Sequence, residues 1–345
     1  MTLSVQKSFV VAVLGLLSST AWSACRDLPT EVRVATQPIY VPRDAPIGSL
    51  IDYGVVNYDG TTRRTCADKL VVHEMLTGPR LASMPVATDP ANGQPYGEHL
   101  YATGVPGVGL GVSHGSGKWC ESPGVPYWGQ ILFPFTARSC SGATYETRVY
   151  YALYKTGPIE PGVHTLNQPA FRVVFDGAVQ TSLTLAQTVT VAGCAMPDVA
   201  DNQIEVALPA TQVKDFSGPG TAGPPQLFSI SMHSCVRGSY ATSYPWNYFQ
   251  GNYAHVRLDP ARGSALIDAS QGIVGLKPDS TAKGIGVQIL KDDNSAMQLG
   301  TEVQIRHVED GITQLPFFAR YVQIDDDPPE GGSAHATVSF TVTFR

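Results

Sequence analysis

The last twelve residues of the chain alternate strictly between apolar and polar side chains. Every second position of this segment is apolar, and these positions are Ala334, Ala336, Val338, Phe340, Val342 and Phe344. A period of two residues, in a segment rich in β-branched and aromatic types, predicts a half-buried β-strand. The strand ends beside the terminal Arg345, so no following hairpin supplies a neighbour. We therefore expect another chain to pair with one of its edges.

The rest of the chain predicts many strands separated by turns. Segments rich in β-forming residues and bounded by turn residues occur at 31–35, 70–74, 145–154 and 171–175. No segment shows a sustained period of 3.6 residues, so helices should be short or absent. The 34 glycines, the 26 prolines and a charged fraction of only 15% also favour short strands and turns. The sequence thus predicts an all-β protein.

The first residues have the features of a secretory signal peptide. Lys7 is followed by an apolar segment at 9–17, and Ala21 and Ser23 provide small side chains for cleavage after residue 23. Cys25 lies close by, but Trp22 stands where a lipoprotein signal needs an aliphatic residue, so lipidation is not expected. No later segment approaches the ~18 apolar residues of a membrane span.

The length that remains suits two domains better than one small sandwich. The segment 181–190 predicts a strand followed by a polar stretch, and Cys194 then opens a new pattern. We place the boundary near Gln187, which gives a signal peptide at 1–23, a first domain at 24–187 and a second domain at 188–345.

The chain contains six cysteines, and an even number behind a signal peptide indicates disulfides formed in an oxidising compartment. Six cysteines allow fifteen connectivities. We predict pairing between neighbours in the sequence, because the division into domains leaves two cysteines alone in the second domain. The predicted pairs are Cys25–Cys66, Cys120–Cys140 and Cys194–Cys235. No C-x₂-C spacing of a zinc site occurs.

Charge and polar residues argue against several classes of function. The net charge is −6 and no run of Lys or Arg occurs, so nucleic acid is not an expected partner. The eight histidines are scattered without H-x-H or H-x-x-x-H pairs, and the spacing of the carboxylates at 325–327 does not match a calcium loop. We therefore predict no metal and no cofactor.

One short motif raises the possibility of an enzyme. Residues 111–115 match G-x-S-x-G, which in α/β-hydrolases presents a nucleophilic serine on a sharp turn before a helix. The following residues, 116–124, are too rich in Gly and Pro for a helix. We interpret the motif as a glycine-rich strand end and loop, and predict that the protein is not an enzyme. A secreted esterase that uses Ser113 is the remote alternative.

Aromatic residues cluster in the segment 119–128, among Pro and Gly residues and beside a predicted disulfide. Flat aromatic rings next to polar groups on a rigid loop suit a carbohydrate or an extended protein ligand. The candidate ligand-binding residues are Trp119, Glu121, Tyr127 and Trp128. The alternative is that both tryptophans pack into a sandwich core.

The second half of the chain resembles the pilins of chaperone–usher fimbriae. The segments that carry the resemblance, in the order typical of a pilin, are VAGC at 191–194, FSISMHSC at 228–235, KGIGVQI at 283–289 and LPFFARY at 315–321. The terminal strand adds Gly332 at position 14 from the end and the penultimate aromatic Phe344.

The first half resembles the receptor-binding domain of two-domain fimbrial tip adhesins, and is most similar to the type 3 fimbrial adhesins. The segments VPRDAPIGSLI at 41–51 and TGVPGVGLGVS at 103–113 carry this resemblance, with Cys25 and Cys66. The family often has Arg where this chain has Gly111. If that Arg contacts ligand in relatives, this protein binds its ligand differently.

The resemblance implies two immunoglobulin-like or jelly-roll-like β-sandwiches, of which the second lacks its last strand. It implies a periplasmic chaperone, an outer-membrane usher and an adjacent pilin that donates its N-terminal strand as partners. The residues expected in the groove for the chaperone or donor strand are Gly332, Val338, Phe340, Val342, Phe344 and Arg345.

The resemblance also implies a place at the fimbrial tip. No extended peptide of about ten residues precedes Cys25 in the expected mature chain, so the chain would accept a strand and donate none. A subunit of that kind is a tip adhesin, exported through the periplasm to the cell surface, where it binds a host glycan or an extracellular-matrix protein. The alternative is a minor or structural pilin without receptor binding.

Overall fold

The fold was analysed in a computed structural model. It describes residues 31–345 apart from 36–37, 58–63, 66–69, 83–86, 89, 91–92, 94, 116–118, 121–130, 140–143, 146–147, 176, 197–202, 240–248 and 250. Strands dominate the described residues, in which the helical element is the single 3-10 turn Val213–Asp215. None of the helical segments in these ranges is long and apolar enough to cross a membrane. The predicted all-β class is confirmed.

The strands are numbered here in chain order. They are β1 (Glu31–Ala35), β2 (Ile39–Pro42), β3 (Leu50–Asn57), β4 (Arg64–Thr65), β5 (Leu70–Met75), β6 (Leu100–Ala102), β7 (Val108–His114), β8 (Trp119–Cys120), β9 (Ile131–Leu132), β10 (Phe135–Ser139), β11 (Thr144–Tyr145), β12 (Arg148–Lys155), β13 (Gly162–Phe175), β14 (Ala178–Ala195), β15 (Gln226–Val236), β16 (Tyr253–Pro260), β17 (Leu266–Asp268), β18 (Ile273–Gly275), β19 (Ile285–Lys291), β20 (Val303–His307), β21 (Gly311–Gln323) and β22 (Val338–Phe344).

The first sandwich packs two sheets face to face. One sheet has the order β14-β13-β5-β10-β8, with β1 and β2 both parallel to β14 on its other side. The second sheet has the order β3-β12-β7-β6, and β9 pairs with β7. Alternate side chains from both sheets meet in one core, in which Leu110, Val112, Leu153, Phe171 and Leu185 are fully buried.

The second sandwich has its own core. Its larger sheet has the order β14-β15-β21-β19-β18-β17, and the smaller sheet has the order β20-β16-β22. Between the two sheets lie Met232, Leu315, Phe317 and Phe344, all fully buried. The described motifs of the predicted pilin half fall on β14, β15, β19 and β21, in that order.

Strand β14 belongs to both sandwiches. It pairs with β13 up to Val191 and then with β15 from Gly193. The polar residues expected to follow a short strand lie within β14, which continues unbroken to Ala195 and buries Gln187 and Thr190. The predicted boundary at Gln187 therefore falls inside a strand. Val189 and Val191 still pack in the first core, whereas Cys194 packs in the second.

Two other predicted strands have different bounds in the structure. Of the single strand expected at 145–154, Tyr145 lies in β11, which pairs with β4, and residues 148–154 lie in β12, which pairs with β3 and β7, while 146–147 are outside the described residues. The terminal strand begins at Val338 and not at Ala334. The residues before it bond to a neighbouring loop instead, with the amide of Lys277 donating to the carbonyl of His335 at 2.7 Å. The alternation of apolar and polar residues begins at Ala334, whereas the pairing with β16 begins only at Val338.

Candidate functional site

The terminal strand β22 lies at the edge of the smaller sheet of the second sandwich. It pairs with β16 in antiparallel register, from Val338 opposite Pro260 to Phe344 opposite Ala254. Just beyond the strand, the backbones of Tyr253 and Arg345 exchange two hydrogen bonds of 2.7 and 3.1 Å. Since hydrogen-bonded pairs alternate in an antiparallel ladder, the odd-numbered residues of β22 direct their backbone groups toward β16.

The even-numbered residues of β22 therefore direct their N–H and C=O groups to the opposite edge. Among the described residues, no strand pairs with β22 along that edge. The side chains of the same residues point to the core: Val342 and Phe344 are buried, and Val338 and Phe340 are partly buried against it. The result is a strand edge with apolar side chains on the core and with the backbone groups of Val338, Phe340 and Val342 facing away from β16.

Gly332 and Arg345 flank this strand at its two ends. A β-carbon on Gly332 would lie 2.5 Å from the backbone nitrogen of Ala282, so only glycine lets the two segments approach this closely. Ser333 then bonds to the 281–282 backbone, accepting two N–H bonds of 3.0 Å. At the other end, the guanidinium of Arg345 pairs with the carboxylate of Glu302. Both contacts fix the course of the chain into and out of β22.

A turn of the first domain contacts the last residue of β22. Arg43 and Asp44 follow β2, and the Asp44 carboxylate accepts a hydrogen bond from the Phe344 amide at 2.9 Å. The Arg43 guanidinium lies 4.6 Å from the centre of the Phe344 ring. Both residues lie in the segment VPRDAPIGSLI at 41–51, whose local pattern does not predict this contact. A charged pair in a turn flanked by Pro42 and Pro46 was the available signal.

The disulfide predicted for the second domain is present. Cys194 at the end of β14 and Cys235 at the end of β15 are joined and buried, which ties the strand shared by the two domains to its neighbour. Cys25, Cys66 and Cys140 lie outside the described residues, and for Cys120 only the backbone, in β8, is described. The other two pairings stay predictions.

The candidate ligand-binding residues fall on the least described part of the chain. Glu121, Tyr127 and Trp128 lie outside the described residues, and for Trp119 only the backbone is described. That backbone pairs with Ser139 of β10 at the edge of the first sheet. The structure thus places the start of the segment at a sheet edge and leaves the role of its side chains as a prediction.

The G-x-S-x-G motif lies within a buried strand. Ser113 is fully buried in the middle of the sheet, opposite Tyr150 of β12 and Leu132 of β9. A strand end and a loop were expected at this motif. In the structure β7 continues through His114, and all seven of its residues are buried. A nucleophile elbow needs its serine exposed on a sharp turn, and this arrangement is the opposite. Within the described ranges, no group of three or more His, Cys, Asp or Glu is placed to hold a metal ion.

Gly111 packs tightly against a buried aromatic ring. It faces the outer side of the second sheet, where a β-carbon would lie 2.5 Å from the ring of Tyr96. Tyr96 is itself fully buried, in a small cluster with Leu100, Ala152 and Tyr154. The ring occupies the space that an Arg side chain would need. Glycine at position 111 therefore lets the Tyr96 ring pack directly against the sheet.

Two buried histidines lie in the core of the first domain. The rings of His73 and His114 are 4.8 Å apart and contact Phe133 and Phe135. Burial lowers the pKa of His114 to about 4, against the smaller opposing effect of its bond to the Gly115 carbonyl. Burial, and then the neighbouring His114, lower the pKa of His73 well below its usual value. Both rings are therefore neutral in the folded protein near pH 7.

This pair makes the first domain sensitive to acid. In the unfolded chain His114 binds a proton near pH 6.5, so between pH 6.5 and 4 the unfolded state holds more protons and stability falls as the pH falls. The lowered pKa of His114 corresponds to about 3 kcal/mol of folding free energy. This contribution is fully present above pH 6.5 and is lost as the pH falls toward 4. We expect the calorimetric transition of this domain to move to lower temperature from pH 7 to 4.5.

His114→Gln should flatten that dependence, whereas His335→Gln, at an exposed site of the second domain, should not. Burial raises the pKa of Asp52 despite the hydrogen bond from Gln187 at 2.8 Å. The folded state therefore binds the Asp52 proton more readily than the unfolded state, and this group opposes the loss of stability that the histidines cause in acid. If the stability of the first domain in the wild type did not change from pH 7 to 4.5, burial would not be holding the two histidines neutral.

Comparison with known proteins found a matching family model and several similar chains. A family model described as Fimbrial protein matches residues 183–345. A relative named Fimbria adhesin protein, from Klebsiella pneumoniae, is 23% identical over 333 residues, which is 91% of each chain. Among solved structures, the CupB6 tip adhesin from Pseudomonas aeruginosa has a TM-score of 0.35 at 15% identity and covers 88% of this chain and 89% of its own.

The receptor binding domain of the adhesin MrkD1P of Klebsiella pneumoniae is similar over a shorter span. It has a TM-score of 0.32 at 19% identity and covers 51% of this chain and 98% of its own. The family match spans the second sandwich and the end of the first, while the Klebsiella relative spans both. Residues 183–345 are therefore similar to a fimbrial protein domain, and the chain is similar over 91% of its length to the Klebsiella Fimbria adhesin protein.

Proposed function

We propose that this chain is the tip adhesin of a chaperone–usher fimbria on a Gram-negative bacterium. In this role the first domain binds a receptor and the second domain attaches the chain to the fibre by donor-strand complementation. The observation that carries the proposal is the open edge of β22. Its even-numbered residues combine apolar side chains on the core with backbone groups that no described strand satisfies.

An edge of this kind needs a partner strand, because unpaired backbone groups beside an exposed apolar groove favour aggregation. Strand addition meets the need: main-chain hydrogen bonds supply affinity and side-chain pockets supply selectivity. We propose that a periplasmic chaperone first covers the edge and that the N-terminal strand of the adjacent pilin replaces it at the outer-membrane usher. The chain would then reach the cell surface at the fimbrial tip.

The receptor site belongs to the first domain. We propose that Trp119, Glu121, Tyr127 and Trp128 contribute to it, since aromatic rings stack on sugars or on extended polypeptide at little cost in entropy. The pairing of β8 with β10 holds the start of this segment on the rigid first sheet. A host glycan and an extracellular-matrix protein are the two receptor classes.

The test uses the full chain co-expressed with its chaperone. The complex is applied to a glycan array and to a panel of collagens and fibronectin, and Trp119→Ala and Trp128→Ala are compared with the wild type. We expect at least one variant to lose receptor binding while its unfolding midpoint stays unchanged. Two large drops in midpoint would instead assign both rings to the core, where Trp→Ala costs ~3–5 kcal/mol.

The same preparation separates the adhesin from the alternative. A chain that binds the chaperone and enters the fibre, yet binds no receptor on either panel, would be a minor or structural pilin. A chain that never co-purifies with the chaperone would contradict the assembly pathway itself.

A further inference from the structure

The open edge of β22 is occupied at one position. Phe344 is the last even-numbered residue of the strand, and both of its backbone groups face away from β16. Asp44 satisfies both of them: its amide donates to the Phe344 carbonyl at 3.0 Å, and its carboxylate accepts from the Phe344 amide at 2.9 Å. One residue of the first domain thus takes the place of one residue of a pairing strand.

Asp44 is held firmly in that place. The preceding Arg43 donates its amide to the Ala192 carbonyl at 2.7 Å and its guanidinium to the Cys194 carbonyl at 2.9 Å, both on β14. The ammonium of the buried Lys155 donates to the Arg43 carbonyl at 2.8 Å. These contacts anchor the Arg43–Asp44 turn to both domains at once.

The space around the turn is also filled. A β-carbon on Gly193 would lie 3.2 Å from the β-carbon of Arg43 and 3.4 Å from the Phe344 ring. The guanidinium of Arg43 covers that ring. A strand arriving along β22 therefore meets side chains and backbone of the first domain at Phe344, whereas Val338, Phe340 and Val342 have no described partner on that edge.

We propose that the Arg43–Asp44 turn sets where an incoming strand must end. The occupant is an extended peptide with alternating apolar side chains, which pairs with Val338, Phe340 and Val342 and stops before Phe344. This inference rests on the proposed strand acceptance and adds the register to it. The first domain thereby selects the length of the strand that the second domain accepts.

The test measures binding of synthetic peptides of alternating valine and threonine to the full chain. A five-residue core is extended by two residues at its amino end in one series and at its carboxyl end in the other, because an antiparallel strand brings its amino end to Phe344 and a parallel strand its carboxyl end. For the wild type, the extension toward Phe344 should change Kd by less than twofold. Asp44→Ala frees the Phe344 amide but keeps the backbone bond to its carbonyl, so the same extension should lower Kd about threefold, within the range of one cross-strand contact.

Two matched variants control for charge and for the hydrogen bond. Asp44→Asn keeps a carbonyl oxygen to accept from Phe344 and should behave as the wild type. Asp259→Ala removes a carboxylate that belongs to β16 and pairs there with Arg257, and it should also have no effect. An equal gain in the wild type and in Asp44→Ala would overturn the proposal, as would no gain in either while the five-residue core still binds. Failure of all peptides to bind would instead contradict strand acceptance.

Hydrogen exchange on the wild type gives an independent measurement. Without peptide, the Phe344 amide should exchange slowly, and the amides of Val338, Phe340 and Val342 should exchange quickly. Bound peptide should protect these three amides and leave its own residue nearest Phe344 unprotected. Fast exchange at Phe344 in the free chain would show that Asp44 does not hold this position.

Discussion

Phe344→Ala should destabilise the second domain by about 3–5 kcal/mol and prevent its capture by a chaperone. The ring is fully buried in the second core, so its loss removes apolar contacts and leaves a cavity between the two sheets. It also removes the surface on which the Arg43 guanidinium rests. Chemical unfolding of the full chain and co-purification with the chaperone measure the two effects.

A matched variant on the same strand separates the core from the edge. Thr341 lies on β22 with its side chain exposed, so Thr341→Ala keeps the backbone pairing and should change stability by less than about 0.5 kcal/mol. If Phe344→Ala were as stable as Thr341→Ala, the ring would not be part of the core. If it were destabilised but still captured and displayed, assembly would not depend on the end of β22.

Replacing both Cys194 and Cys235 by serine should cost the second domain about 4 kcal/mol. The bridge closes a loop of 41 residues, and the loss of chain entropy in the unfolded state for a loop of this length gives that magnitude. Two serines also place hydroxyl groups in a buried site, where Thr313 is the nearby polar partner. The measurement is the midpoint of denaturant unfolding of the double variant.

The first domain provides the internal control for this variant. Its transition should move little, because its core contains neither cysteine. An unchanged second transition would mean that the bridge contributes nothing to stability. A first transition that fell as far as the second would mean that the two domains unfold as one unit across β14.

The sequence predicted those features that depend on local pattern. Alternation in the last residues identified β22 and the face that Val342 and Phe344 bury, because period two is intrinsic to an extended strand. The pairing of Cys194 with Cys235 followed from the division into domains, and the pairing does not depend on the exact residue at which the boundary is drawn.

Features that depend on distant contacts could not be read from the pattern. The boundary of the first domain near Gln187 was placed where polar residues begin, but Gln187 and Thr190 are themselves buried on a strand that serves two sheets. Asp44 lies 300 positions from the residue it contacts, and no local periodicity marks such a pair. The packing of the Tyr96 ring against Gly111 is another contact that no local pattern marks.

The shared strand β14 determines how this protein could be recombined with its relatives. A chimera is usually spliced in a linker, where an added residue is absorbed by a flexible loop. Here the crossover would fall between Val191 and Cys194, within a paired strand. One added residue there would turn the side chains after it to the opposite face, so Cys194 would leave its core. Functional exchange of the first domain therefore requires a splice that preserves the alternation of side chains along β14.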